Sequence, residues 1–103
     1  MINGIEITDV IIFPIKNKIS TLKAFAQVIL NDQFIVLGIR IIQGKNGMFI
    51  QFPHEYNKAA SKGYDICYLI TAELRSYMTD KVLDQYKLAL NQEAKQAVLL
   101  AFS

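Results

Sequence analysis

Histidine and cysteine each occur once in this 103-residue chain, proline twice, and tryptophan not at all. A lone cysteine, Cys67, forms no intrachain disulfide, which predicts a reducing cytoplasmic location. Cys67 lies in the apolar run Asp65–Ile70 with no histidine nearby in sequence, so it reads as a buried, inert thiol in a short strand. His54 has no metal-ligand partner at a useful spacing and reads as a solvated loop residue. Charged residues make up only 19% of the chain, and the nine carboxylates are scattered without an acid/base dyad. The one clustered glycine feature, Gly44-Lys45-Asn46-Gly47, is too short to cradle a phosphate and does not lead into a helix. These absences argue against catalysis, a metal, a cofactor or a small-molecule substrate. No apolar run approaches the ~20 residues of a membrane span, and the N-terminus has no basic region followed by an apolar run and a cleavage site. The expected protein is therefore cytoplasmic, with no membrane partner. A net charge of +2 permits nucleic-acid binding without arguing for it.

What is present in quantity is apolar side chain, 52% of the chain, more than an average soluble domain carries. The length fits one domain over residues 1–103, with little margin for a large core. The apolar excess is expected to be covered in part by a second copy, which predicts a homodimer.

The stretch Leu22–Pro53 organises the chain. Its runs of Val, Ile and Phe suit a pleated, half-buried surface and predict strands at about 22–31, 33–43 and 48–52. Asn31-Asp32 tolerates left-handed backbone and supplies one hairpin turn. Gly44 and Gly47 bracket Lys45-Asn46 and supply the positive φ of another. Before this meander, alternation and then the continuous run Val10–Phe13 predict a strand at about 4–13, ended or placed at a sheet edge by Pro14. Lys16–Thr21 reads as a polar connection and residues 53–64 as a polar loop. Thr71 is a suitable N-cap for an amphipathic helix of about 72–90, with Leu74, Met78, Val82 and Tyr86 recurring at i+4. Asn91 is expected to interrupt it before a second stripe of Ala94, Ala97, Val98 and Ala101 over 92–102. The sum is an α+β fold: an antiparallel meander of four to five strands followed by C-terminal helices packed on one face.

The block Phe34-Ile35-Val36, Gly38-Ile39-Arg40-Ile41-Ile42, Gly44-Lys45-Asn46-Gly47-Met48-Phe49-Ile50 and Pro53 resembles the SpoVG family (stage V sporulation protein G, septation proteins). The opening Glu6-Ile7-Thr8-Asp9-Val10 is similar to that family's N-terminus. The likeness covers about residues 5–86 and leaves 87–103 as a C-terminal extension. It implies a dimer and a regulator of gene expression, sporulation and septum formation that binds DNA and, in some members, RNA. Residues 54–64 depart from the family pattern: His54-Glu55-Tyr56 stands where an adjacent basic pair is usual, with Lys58 and Lys62 as substitutes within the loop.

Nucleic-acid binding needs cations that meet phosphates. Lys23, Arg40 and Lys45 are the first candidates, with Lys16, Lys18, Lys58 and Lys62 behind them. Arg40 interrupts an otherwise apolar strand and has two readings: a structural ion pair with Asp9, Asp32 or Asp65, or a ligand fork on an open face. The rival function is a protein-interaction scaffold in division, without direct nucleic-acid contact.

Overall fold

In the computed structural model, which describes residues 2–16, 19–59 and 61–102 and the side chains of these except at 56, 57 and 93–102, the chain begins with four consecutive antiparallel strands. These are β1 (Ile7–Pro14), β2 (Leu22–Leu30), β3 (Phe34–Gly44) and β4 (Gly47–Gln51), in spatial order β1-β2-β3-β4. The meander forms where the Val, Ile and Phe runs place it. Asn31 and Asp32 both adopt φ +52, and the Gln33 N–H closes the turn on the Leu30 carbonyl at 2.9 Å. Left-handed backbone is tolerated at Asn and Asp because their short polar side chains bond locally. The Asn31 side chain reaches instead to the segment before β1: its Oδ1 accepts from the Glu6 N–H at 2.7 Å, and its Nδ2 donates to the Gly4 carbonyl at 3.3 Å. At the other turn only Gly47 has positive φ, +126. Gly44 leaves room for the Phe49 ring, which a Cβ there would meet at 3.0 Å. β1 is an edge strand, so Pro14 costs the ladder little.

Residues 53–64, expected as a loop, instead contain a second two-stranded sheet, β5 (His54–Asn57) with β6 (Lys62–Asp65). The strand expected at 65–70 is correspondingly displaced. Residues 66–70 have no regular structure, and the chain there turns back so that the Ile66 N–H bonds the Pro53 carbonyl at 2.7 Å.

One helix, α1 (Ala72–Phe102), follows, not two. Thr71 caps it, its Oγ1 accepting from the Leu74 N–H at 3.2 Å. Asn91 does not interrupt it, because Asn costs well under ~1 kcal/mol in a helix interior relative to alanine. The stripe Ala94, Ala97, Val98 and Ala101 lies outside the described side chains.

The helix covers one face of the four-stranded sheet. Met78 and Val82 are fully buried against Ala24, Ala26, Val28, Ile39 and Ile41, and Tyr86 closes the stripe towards β1. Small alanines on β2 let α1 approach the sheet, and each large buried side chain contributes about 1.5–3 kcal/mol. Tyr77 ties the helix to β1 by accepting the Ile7 N–H on its hydroxyl at 3.2 Å. The opposite face of the sheet carries no helix among the described residues.

Candidate nucleic-acid interface

Strand alternation sends the remaining side chains of the sheet to its uncovered face. Cross-strand register places Phe13 opposite Phe25, Phe25 opposite Arg40, and Arg40 opposite Gln51, so one row crosses all four strands. The next row pairs Ile42 with Phe49. Phe13, Phe25 and Phe49 remain 47%, 37% and 46% exposed, too open for core residues. Arg40 is exposed, with its guanidinium carbon 5.9 Å from the Phe25 ring centroid. This cation–π geometry holds the side chain over the aromatic surface.

No carboxylate among the described residues pairs with Arg40. Asp65 faces His54, Oδ1 to Nδ1 at 3.3 Å, and Asp9 accepts from the Val10 N–H at 2.9 Å. Asp9 is the only carboxylate among the described residues that register assigns to the open face, in the row with Ile29. That row is four residues along β2 from Phe25, about 13 Å away.

The meander's connectivity gathers three of the candidate lysines at one end of the sheet. Lys16 follows β1, and the adjoining Ile15 N–H bonds the Lys23 carbonyl at 2.9 Å. Lys23 lies at a β-bulge between Leu22 and Ala24, two residues from Phe25. Lys45 occupies the β3–β4 turn, whose neighbour Gln43 donates to the Thr21 carbonyl at 2.8 Å. Lys16 and Lys45 are exposed and Lys23 is half-buried. Lys18 lies outside the described residues. Lys58 and Lys62 are also exposed, but they belong to the β5–β6 hairpin, which leaves the sheet from its opposite end.

That hairpin is held by polar pairs. The Tyr64 hydroxyl donates to Glu55 Oε2 at 3.1 Å, and this bond, with the nearby carboxylate charge, raises the tyrosine's pKa above its usual value. His54 is thus not merely a solvated loop residue: it sits in β5, facing Asp65. Cys67 is exposed, not buried, because the apolar run around it follows the hairpin and does not enter a sheet. No group of His, Cys, Asp or Glu among the described residues has metal-binding geometry.

A second apolar surface lies at the end away from Lys16, Lys23 and Lys45. Ile66, Tyr68 and Ile70 are mostly exposed there, beside a groove of about 430 Å³ lined by Leu30, Phe34, Leu37, Phe52, Cys67 and Leu69. Unlike the open sheet face, its lining bears no charge. Residues 65–70 read as a short strand in the sequence, which hides this surface. The visible signal is the apolar run itself, directly after the polar residues 53–64.

The SpoVG family model matches residues 5–88. A protein of Acholeplasma laidlawii named "Putative septation protein SpoVG" is 34% identical over 94 residues, covering 90% of this chain and 97% of its own length. One of the same name from Myxococcus xanthus is 32% identical over 96 residues, 93% of each chain. Another from Archaeoglobus fulgidus is 30% identical over 82 residues, 80% of this chain and 94% of its own. With the match spanning all six described strands and the first half of the helix, this chain belongs to the SpoVG family.

Proposed function

We propose that this chain is a cytoplasmic, non-enzymatic regulator in septation and sporulation-type control of gene expression, acting by binding nucleic acid. The observation that supports it most is Arg40, exposed at the centre of a helix-free sheet face and unpaired with any described carboxylate, next to an end that gathers Lys16, Lys23 and Lys45. A phosphate can meet Arg40 without first displacing a described carboxylate, and the guanidinium offers a bidentate fork. The test is fluorescence anisotropy with short DNA and RNA, duplex and single-stranded, over a range of salt. Affinity that falls steeply with salt supports the reading, and absence of binding at ~50 mM salt moves the function to a protein scaffold in division.

The apolar residues Ile66, Tyr68 and Ile70, with the uncharged groove beside them, favour a second reading alongside the first: self-association. A second copy is the proposed occupant, since an apolar surface without charge brings two positively charged chains together without repulsion at the contact. Light scattering at micromolar concentration checks this, a mass near 11.7 kDa counting against it.

A further inference from the structure

Resting on the nucleic-acid reading above, we infer that the open sheet face takes unpaired bases, stacked on Phe13, Phe25 and Phe49, rather than a duplex. A duplex hides its base faces and presents phosphates and groove edges. Exposed phenyl rings offer nothing to a phosphate, whereas any unpaired base has a π-face that stacks on them. The row Phe13–Phe25–Arg40–Gln51 has strands about 4.8 Å apart, which sets Phe13 and Phe25 on neighbouring strands, with Phe49 in the next row. Arg40 lies over the Phe25 ring and extends that surface with a planar cation. Gln51 and Gln27 provide amides on the same face, where a stacked base exposes its hydrogen-bonding edges. Cations sit at one end and at the centre, while the only described carboxylate of the face stands in the far row. A single strand can therefore lead its backbone past Lys16, Lys23 and Lys45 and lay its bases towards Arg40.

The chain has no tryptophan, so Phe25→Trp places a single fluorescent reporter on this surface. The probes are oligodeoxythymidine of about 12 nucleotides, and the same strand annealed to its complement. The expected result is quenching of the indole emission by the single strand and not by the duplex. Phe25→Leu and Phe13→Leu, each confirmed folded by thermal melting, should weaken single-strand binding about 10-fold, and Phe25→Tyr should restore it. Duplex binding as tight as single-strand binding, with the reporter unquenched, overturns the inference and leaves the nucleic-acid reading standing. Binding of neither probe overturns the inference, and the nucleic-acid reading falls with it when RNA strands and duplexes also fail to bind. A reporter whose emission shifts to the blue with protein concentration and ignores the oligonucleotide assigns the face to a second copy, and also overturns the inference.

Discussion

The Arg40 guanidinium lies 5.9 Å from the centre of the Phe25 ring, one strand away and directly opposite in register. An exposed cation–π pair is worth about 0.5–1 kcal/mol, so little of the fold depends on it. Arg40→Ala should keep its melting temperature within about 8 °C of the parent and lose nucleic-acid affinity, with the salt slope flatter by about one unit. Melting and anisotropy on the same preparation decide this. A large drop in melting with unchanged affinity when folded would give Arg40 a structural role instead.

Met78 should behave in the opposite way. It is fully buried between α1 and the sheet, so Met78→Ala removes packed volume and costs about 2–5 kcal/mol. Denaturant unfolding measures the loss, and a cost under about 1 kcal/mol would show that the helix does not seat as described.

Thr71 is the cap of a long helix with an exposed first turn. Thr71→Ala should lower stability by about 1 kcal/mol, and Thr71→Ser should recover most of it. If serine and alanine are equivalent in thermal melting, the hydroxyl contributes nothing.

Gly38 tests backbone conformation alone. Its φ is +74, and the nearest atom to an added Cβ is a Pro53 ring carbon at 3.8 Å, an ordinary contact. Gly38→Ala should therefore cost about 1 kcal/mol through the left-handed backbone and not through a clash. Equal stability of the two proteins in urea would show that the backbone at residue 38 relaxes freely.

Much of this architecture is legible in the sequence. The meander shows because Val, Ile and Phe runs and turn residues agree at each boundary, and the helix start shows because Thr71 precedes a four-residue apolar repeat. The β5–β6 hairpin does not show, because HEYN and KGYD have no apolar alternation and are joined by polar cross-strand pairs. Arg40 stands out as an anomaly, but its partner does not. Which residue faces Arg40 depends on the bulges between β2 and β3, and one slipped register would exchange Phe25 for an alanine. The gathering of Lys16, Lys23 and Lys45 follows from meander connectivity, whereas the departure of Lys58 and Lys62 depends on the hairpin that the residue pattern conceals.

Tyr64 gives the hairpin a measurable pH response. Its pKa is raised by the hydrogen bond to Glu55 and by the carboxylate's charge. The contribution to hairpin stability is therefore fully present below the unfolded tyrosine's pKa and is lost as pH rises through the higher folded one. Glu55→Gln should bring the Tyr64 titration down, as followed by carbon NMR of the phenol ring. A titration curve identical in the two proteins would deny the interaction.

The lysine end of the sheet is where phosphate is expected to dock. The direct measurement is the salt dependence of affinity for the Lys23→Ala/Lys45→Ala double variant beside the parent, using the oligonucleotide the parent binds best. The expected result is weaker binding to every sequence and a salt slope flatter by about two units, one for each lysine that no longer meets a phosphate. A folded double variant with unchanged affinity and slope would contradict it.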